Sequence, residues 1–350
     1  MPFHGYSLDQ LGWRSDFART LTVEDFESGF PARIVAVHRS GVVTLSSRGA
    51  IPAVVPPSIH AEASLAVGDW VFLENDADRV LRLLPRHSLI ERGAAGDDHR
   101  RQAIAANVDT LFVVTSCNAD FNASRLERYL ALAFDAGAQP VVVLTKADLC
   151  PDVGSYVGQV RALAPAAGVV PLDATGTDVT QSLSPWLVPG CTVAFVGSSG
   201  VGKSTLTNAL VGDVQLTGGI REDDARGRHT TTAREMFAAS GGAWVIDTPG
   251  MRELKLTSDA QALEAVFADI EALAMDCRFR DCQHEADAGC AVTRALHDGV
   301  LDERRFASYR KLQREIAEAG RSVREKRERS RQFGSMGKQA MESKRKRQGR

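Results

Sequence analysis

One short stretch, residues 197–205, constrains this chain more than any other. It reads Gly-Ser-Ser-Gly-Val-Gly-Lys-Ser-Thr, matches the pattern G-x-x-x-x-G-K-[ST], and lies between an apolar run at 192–196 and a helix-like segment at 206–210. Glycines adopt backbone conformations that other residues avoid, so successive N–H groups of such a turn can point inward around an anion. The stretch therefore predicts a phosphate-binding loop (P-loop) rather than an ordinary glycine-rich turn.

Each part of this loop has a predicted role in binding a nucleoside triphosphate. The Lys203 ammonium would reach the β- and γ-phosphates, and the Ser204 hydroxyl would bind the Mg²⁺ ion that accompanies them. The predicted contact set is the whole motif, namely Gly197, Ser198, Ser199, Gly200, Val201, Gly202, Lys203, Ser204 and Thr205.

Length and composition are those of a globular protein with two or three domains. The chain has 350 residues, of which 44% are hydrophobic and 25% charged. Its sequence has no apolar run long enough to cross a bilayer and does not open like a signal peptide, so we expect a cytoplasmic protein without membrane contact. The net charge of −2 hides a basic end, because residues 321–350 hold twelve Lys and Arg against three Asp and Glu.

The first part of the chain predicts a small β-domain. Short β-branched runs separated by turn signals predict strands at 31–38, 42–46, 53–55, 69–74 and 79–84. Five short strands in that space favour a closed barrel of the oligonucleotide-binding (OB) type, although an SH3-like barrel or a less specialised β-domain fits the periodicity nearly as well. The preceding residues 1–30 form an extension whose role the sequence does not reveal.

The middle of the chain alternates strand-like with helix-like segments, which predicts a parallel sheet covered by helices on both faces. Beyond residue 256 the strand pattern stops, and helices are predicted at 260–274 and 302–319. The predicted division is 1–30 extension, 31–90 OB-like barrel, 91–106 linker, 107–256 α/β domain, 257–320 helical domain and 321–350 basic disordered tail.

Two motifs at strand ends predict recognition of guanine. Thr145-Lys-Ala-Asp148 follows the strand at 140–144, where the Asp148 carboxylate can accept both the ring N–H and the exocyclic amine of guanine. Adenine offers no such pair, so a P-loop ATPase or kinase would have no use for Asp148. The Lys146 stem would lie along the base, and the Ala174 N–H, after the next strand, would contact the base oxygen.

Two further segments predict contacts to the metal and the γ-phosphate. Asp247-Thr-Pro-Gly250 ends the strand at 243–246, so Asp247 can bind the Mg²⁺ shell and the Gly250 N–H can meet the γ-phosphate. The polar stretch 217–232 predicts a mobile loop from which a Thr hydroxyl, that of Thr231 or of its neighbours at 230 and 232, completes the Mg²⁺ shell when a γ-phosphate is present. Its alternative is a plain surface loop.

A Cys/His cluster predicts a metal site in the helical region. The spacing Cys277-x₄-Cys282-x-His284-x₅-Cys290 supplies three thiolates and an imidazole, the ligand set of a closed tetrahedral zinc site. Four protein ligands leave no open position, so the zinc would be structural. The alternative is a set of unrelated reduced cysteines.

The order of these motifs is unusual, because the guanine motif precedes the phosphate loop, the reverse of the order in most GTPases. With Gly-Arg-His-Thr-Thr-Thr at 227–232, Asp-Thr-Pro-Gly at 247–250 and the Cys/His cluster, the chain closely resembles the ribosome small-subunit-dependent GTPase family, often called RsgA, over about residues 30–320. The resemblance implies an N-terminal OB-like β-barrel, a circularly permuted P-loop α/β GTPase domain and a C-terminal helical zinc-binding domain. Two positions depart from the usual pattern: Thr145, where Asn is usual, and Asp173, where Ser is common.

The resemblance also implies a function. It implies a GTP hydrolase with one zinc, and with Mg²⁺ bound alongside GTP, that binds the 30S subunit and its 16S rRNA late in maturation and is stimulated by that subunit. The sequence is silent on oligomeric state, and a monomer is the default expectation. A permuted GTPase acting on the large subunit and a non-hydrolysing rRNA-binding scaffold are the alternatives. The basic tail suits phosphate contact without sequence readout, or else serves solubility.

The residue after Gly250 bears on the rate of hydrolysis. Many GTPases have a water-orienting Gln there, whereas this chain has Met251, which cannot orient water by hydrogen bonding. We therefore expect slow intrinsic hydrolysis. Our hypothesis is that His229 positions the water once a partner orders its loop; otherwise His229 is a simple loop residue.

Overall fold

The computed structural model describes residues 5–38, 41–76, 78–94, 97–212, 234–247, 256, 261–285 and 288–319, and its tertiary contacts divide the chain into two compact units, 1–255 and 256–350. The strands are β1 Gly29–His38, β2 Gly41–Ser46, β3 Gly49–Ala53, β4 Trp70–Glu74, β5 Val80–Leu83, β6 Leu89–Ala94, β7 Asp97–Ala106, β8 Thr110–Ser116, β9 Gln139–Thr145, β10 Gly168–Pro171, β11 Thr192–Gly197, β12 Arg234–Ala238 and β13 Trp244–Asp247.

The helices of the described residues are α1 Ser15–Ala18, α2 Val23–Ser28, α3 Pro57–Glu62, α4 Ala123–Asp135, α5 Val153–Leu163, α6 Val179–Leu183, α7 Lys203–Val211, α8 Gln261–Val266, α9 Ala268–Met275, α10 Ala291–His297 and α11 at 303–319. Short 3₁₀ turns lie at Ala147–Leu149, Ser184–Trp186 and Ser240–Gly242.

The first strands close into the OB-like barrel that the sequence favoured. β1 pairs antiparallel with both β2 and β4, and its register shifts between Ile34 and Ala36, a bulge that bends the strand. A parallel bridge between Val54 and Arg79 joins the end of β3 to the start of β5, which completes the cyclic order β1-β2-β3-β5-β4. The third strand lies at Gly49–Ala53, earlier than the predicted 53–55. The sequence pattern missed its first residues because a glycine and a proline lie within it.

The second sheet region has the permuted arrangement implied by the motif order. Its strands follow the order β10-β9-β8-β11-β13-β12, parallel except for the antiparallel β12. The strand that leads into the phosphate loop, β11, lies between β8 and β13, although β8, β9 and β10 all precede it in the chain. Its core includes Phe112 and Phe195, whose rings stack with centroids 5.2 Å apart.

Two elements depart from the sequence prediction. The segment 91–106, predicted to be a linker, lies in the antiparallel hairpin of β6 and β7, with Leu89 opposite Ala106. Its strand signal is weak because a charged run is followed by alanines, which have low β-propensity. β12, which the sequence did not indicate, pairs with β13 and with the barrel strand β1, so the barrel and the α/β region share one continuous sheet.

The N-terminal extension packs against both the barrel and the α/β sheet. Trp13 contacts Trp70 of β4 edge to face, with ring centroids 4.8 Å apart. On the other side, the Trp244 indole N–H donates to the Gln10 carbonyl at 2.7 Å. Gly12 has φ +84°, and a Cβ at this position would lie 2.3 Å from the Gly190 carbonyl oxygen, so the close approach requires glycine.

A buried arginine connects these parts. The side chain of Arg33, 1% exposed, donates to the Leu11 carbonyl at 2.6 Å and to the Thr192 hydroxyl at 2.7 Å. It also donates to the carbonyls of Gly68 and Asn107. Burial lowers the pKa of Arg33 to about 10, so the guanidinium remains charged at neutral pH.

The second unit is helical around its own core. The predicted helix 260–274 is two helices, α8 and α9, because the backbone breaks at Phe267 (φ −116°, ψ 37°). The Arg305 guanidinium makes a two-pronged ion pair with Asp269, both distances 2.7 Å, and the Tyr309 hydroxyl lies 2.9 Å from Glu271. Among the described residues, no helix is long and apolar enough to cross a membrane.

Candidate functional site

The phosphate loop has the strand-turn-helix setting that the motif requires. It follows β11 and ends at α7, whose first residue is Lys203. A Cβ at Gly197 would lie 2.2 Å from the Val114 carbonyl oxygen, so this position has no room for a side chain. Gly200 and Gly202 have φ values of +78° and +99°, which favour glycine. The three glycines are thus fixed by backbone geometry.

The Lys203 ammonium is folded over the loop. Its Nζ lies 2.9 Å from the Gly197 carbonyl oxygen and 2.5 Å from that of Ser198. Ser204 and Thr205, the next residues of α7, are exposed at the helix N-terminus. This arrangement puts a cation, a hydroxyl and the positive end of a helix at one edge of the sheet, where an anion is favoured.

The guanine motif lies against the phosphate loop. The hydroxyl of the buried Thr145, at the end of β9, lies 2.8 Å from the Val201 carbonyl oxygen. A Cβ built on Gly202 would lie 3.4 Å from the Ala174 Cβ and 3.7 Å from the Thr145 Cγ2. The structure thus brings three segments that are far apart in sequence into contact. It also shows that the Thr145 hydroxyl is directed at the loop.

The other residues of the base motifs follow directly after β9 and β10. Lys146 adopts a left-handed conformation (φ +58°), and Asp148 is exposed within the 3₁₀ turn Ala147–Leu149. The Asp173 carboxylate accepts hydrogen bonds from the Thr175 N–H at 2.8 Å and hydroxyl at 2.7 Å. These bonds, led by the backbone one, lower the pKa of Asp173 and hold the turn that contains Ala174.

The structure places part of the predicted metal and γ-phosphate site. Asp247 is exposed at the end of β13, the neighbour of β11, so it lies at the same edge of the sheet as the phosphate loop. Gly250, Thr231 and His229 lie outside the described residues, as do the rest of the stretch 217–232 and the tail 321–350. Their predicted roles stay predictions.

One contact to the phosphate loop was not predicted from the sequence. The Ser198 hydroxyl donates to the Asp120 carboxylate at 2.6 Å, and the same carboxylate oxygen pairs with Arg125 at 2.8 Å. Asp120 lies in the loop after β8, which matches no nucleotide-binding motif. Only the parallel pairing of β8 with β11 brings that loop to the phosphate loop, so no local pattern could have revealed it.

The predicted metal ligands converge in the second unit. Ligand atoms of Cys277, Cys282, His284 and Cys290 all lie within 4.8 Å of one another. The Cys277 and Cys290 sulfurs are 3.8 Å apart, and the His284 Nδ1 lies 3.7 and 3.4 Å from them. Zn–S bonds of ~2.3 Å in a tetrahedron give an S–S edge of about 3.8 Å. The donors therefore fit a zinc ion.

Hydrogen bonds within the cluster favour the thiolate form of Cys290. Burial raises the pKa of Cys290, but hydrogen bonds from Thr293 and from His284 outweigh it and bring the pKa to about 6. The Thr293 N–H lies 3.3 Å from the sulfur at the start of α10. A thiolate is the form that binds metal, so this cysteine is prepared for ligation at neutral pH.

Two family models match the chain. The model described as RsgA GTPase matches residues 83–257, and the model described as 50S ribosome-binding GTPase matches residues 192–326. The first spans the guanine motif at 145–148, Ala174 and the phosphate loop. The second begins at β11 and contains the phosphate loop and the Cys/His cluster.

Relatives match over almost the whole chain. The protein named small ribosomal subunit biogenesis GTPase RsgA 2 of Vibrio parahaemolyticus is 48% identical over 342 residues, 97% of this chain and 94% of that protein. The small ribosomal subunit biogenesis GTPase RsgA of Mesorhizobium japonicum is 48% identical over 310 residues, 87% of this chain and 89% of that protein.

Solved structures show the same fold. YjeQ from Thermotoga maritima superposes with a TM-score of 0.61 at 23% identity, covering 83% of this chain and 99% of that one. YloQ, described as a circularly permuted GTPase, superposes with a TM-score of 0.58 at 21% identity, covering 83% of this chain and 96% of that one. The likeness confirms the permuted fold that the motif order predicts.

Proposed function

This chain belongs to the RsgA GTPase family and is a GTP hydrolase, and we propose that it acts on the small ribosomal subunit late in that subunit's maturation. The observation that carries the proposal is 48% identity over 97% of the chain to a protein named for small ribosomal subunit biogenesis. In this proposal the 30S subunit stimulates hydrolysis, and hydrolysis releases the enzyme from the subunit.

The phosphates of GTP would occupy the loop formed by residues 197–205. Backbone N–H groups would surround the β-phosphate, and Lys203 would turn from the carbonyl oxygens it now contacts to the β- and γ-phosphates. Ser204, Asp247 and Thr231 would hold the Mg²⁺ ion that arrives with GTP, and the Gly250 N–H would meet the γ-phosphate. The position of Asp247 beside the loop supports this assignment.

The guanine base would lie over the motif at 145–148. Asp148 would accept its two N–H groups, the Lys146 stem would lie along the ring, and the Ala174 N–H would donate to the base oxygen. A Cβ built on Gly202 would lie 3.4 Å from the Ala174 Cβ and 3.7 Å from the Thr145 Cγ2, and this closeness of the two predicted base motifs to the phosphate loop supports the assignment. We assign Thr145 a supporting role rather than a contact to the base.

Water activation is assigned to His229. Met251 cannot orient a water molecule, so the unstimulated enzyme would be slow. When the 30S subunit orders the loop that carries His229, the imidazole would hold the attacking water. Ordering of a loop by a partner is a common way to couple hydrolysis to the bound state.

We propose one structural zinc in the second unit. Cys277, Cys282, His284 and Cys290 would complete its tetrahedral shell, which leaves no position for a substrate. The spacing of the donor atoms supports this assignment. The zinc would supply much of the folding free energy of a segment with few core residues.

Contacts to 16S rRNA are assigned to the barrel at 31–90, the zinc-binding domain at 257–320 and the basic tail at 321–350. OB-type barrels bind oligonucleotides, and a tail rich in Lys and Arg contacts phosphates without reading sequence. The α/β domain would span 107–256, and the protein would be a monomer that works in the cytoplasm.

Hydrolysis assays with purified ribosomal subunits test the proposal. We expect GTP turnover to rise strongly with 30S subunits, and neither 50S subunits with GTP nor 30S subunits with ATP to give that rate. Stimulation by 50S subunits alone would instead support the large-subunit alternative, which the second family model's description raises. Tight GTP binding with no stimulation by either subunit would support the scaffold alternative.

A further inference from the structure

The loop after β8 fixes one carboxylate beside the phosphate loop. The backbone N–H of Asp120 donates to the Asn118 side chain at 2.9 Å, and the Ser116 hydroxyl donates to the same oxygen at 2.8 Å. Arg125, in the first turn of α4, donates to both the carboxylate and the backbone carbonyl of Asp120. These bonds hold the Asp120 side chain in place, although about a third of its surface is exposed.

The partner of this carboxylate is the second residue of the phosphate loop. The Ser198 hydroxyl donates to Asp120 at 2.6 Å, and the Ser198 carbonyl accepts from Lys203 at 2.5 Å. The first half of the loop is thus held by Asp120 and Lys203. In the second half, the Val201 carbonyl accepts from Thr145 at 2.8 Å.

Nucleotide binding would change this set of contacts. Lys203 would leave the carbonyl oxygens of Gly197 and Ser198 when it reaches the phosphates. The first half of the loop then keeps the hydrogen bond between Ser198 and Asp120. A loop already held in its binding shape loses less conformational entropy when the ligand arrives.

Charge alone would not favour this position for a carboxylate. An anion beside a phosphate site repels the ligand, and the ion pair with Arg125 reduces that repulsion only in part. If Asp120 mainly positions the loop, its removal should weaken nucleotide binding; if it mainly repels the phosphates, its removal should tighten binding. Affinity measurements therefore separate the two effects.

We propose that Asp120 is a positioning residue that, through Ser198, holds the first half of the phosphate loop in the shape that receives the β-phosphate. The inference rests on the nucleotide site proposed above. It assigns a role in nucleotide affinity to a residue outside the sequence motifs of that site.

The test measures the dissociation constant of a fluorescent GDP analogue, with KM and kcat for GTP. Asp120→Ala and Ser198→Ala should each weaken GDP binding roughly tenfold and raise KM, since a hydrogen bond to a charged acceptor is lost. The double variant should be no weaker than either single one. Asp120→Asn should recover most of the affinity, because the amide oxygen still accepts from Ser198. Asp152→Ala, which removes a carboxylate that caps α5, is the matched control and should bind like wild type.

Each other outcome has a distinct meaning. Wild-type affinity in Asp120→Ala, tighter binding in that variant, or additive losses in the double variant would overturn the role of Asp120. A wild-type protein that bound no guanine nucleotide would overturn the proposed site, and the inference with it. If Asp120→Ala and Ser198→Ala both melted at a lower temperature than wild type but bound the GDP analogue equally well, Asp120 would serve stability only.

Discussion

The hydroxyl of Thr145 lies 2.8 Å from the carbonyl oxygen of Val201, so the last residue of β9 is bonded to the middle of the phosphate loop. Both residues are buried. The motif at 145–148 and the phosphate loop are therefore joined by a side chain. Thr145, at a position where Asn is usual in GTPases, contacts the loop through its hydroxyl.

Replacing Thr145 with Val keeps the shape and removes the hydroxyl. The Val201 carbonyl would lose this partner in a buried setting, which costs about 1–3 kcal/mol. We expect GDP affinity and the unfolding free energy to fall together, as measured by fluorescence titration and urea denaturation. Thr145→Ser is the control, because it keeps the donor; equal affinity of the Val variant and wild type would contradict the prediction.

The assigned role of Asp148 predicts a change of base specificity. Asp148→Asn keeps one acceptor oxygen for the ring N–H but replaces the acceptor for the exocyclic amine with an amide donor, which suits xanthine, where an oxygen replaces that amine. We expect GTP affinity to fall by about a hundredfold or more and XTP affinity to rise. Competition titrations with GTP, XTP and ATP measure both. A variant that still preferred GTP would place guanine recognition elsewhere.

The hypothesis for His229 concerns only stimulated turnover. His229→Ala should bind GTP like wild type and keep the slow basal rate, while stimulation by 30S subunits falls by about 10²-fold or more, as for loss of a positioned proton-handling group. Single-turnover hydrolysis on saturating subunits measures this. A variant stimulated as strongly as wild type would remove His229 from the mechanism.

The Cys/His cluster predicts one zinc per chain. Cys282→Ser should lose it and destabilise the second unit, since structural zinc contributes on the order of 10 kcal/mol to folding of such segments. Metal analysis and limited proteolysis of residues 256–350 are the measurements. Cys150→Ser is the control, because Cys150 lies outside the cluster. Wild-type protein without stoichiometric zinc would refute the assignment.

Arg33 predicts a large stability effect far from the site. Arg33→Met leaves the acceptors at Leu11 and Thr192 without this buried donor, so we expect the unfolding free energy of the first unit to fall by about 1–3 kcal/mol for each of them. Arg79→Met, at an exposed barrel position, should change it by less than about 0.5 kcal/mol. Chemical denaturation compares the two. Equal stabilities would show that the Arg33 contacts contribute little.

The sequence alone predicted the features that depend on local pattern. The phosphate loop, the buried strand β9 and the Cys/His spacing each leave a signal within a few residues. No local sequence signal marks Arg33. Alternation along a strand does not reveal that a charged side chain is enclosed by the N-terminal extension, which lies about twenty residues earlier in the chain. Asp120 and β12 were missed for the same reason: each depends on pairing between segments distant in the chain.

The pairing of β12 with the barrel strand β1 fixes the position of Arg234, which closely follows the predicted mobile loop 217–232. Arg234 pairs with Val37 of β1, and Thr231 precedes it by three residues. Three residues of extended chain span at most about 10 Å, so the Thr231 Cα can lie no farther than that from the Arg234 Cα. Arg234 belongs to β12, and its pairing with Val37 holds it against the barrel strand β1. If Thr231 completes the Mg²⁺ shell as predicted, a partner that displaced β1, and β12 with it, would move the region in which Thr231 can reach the ion.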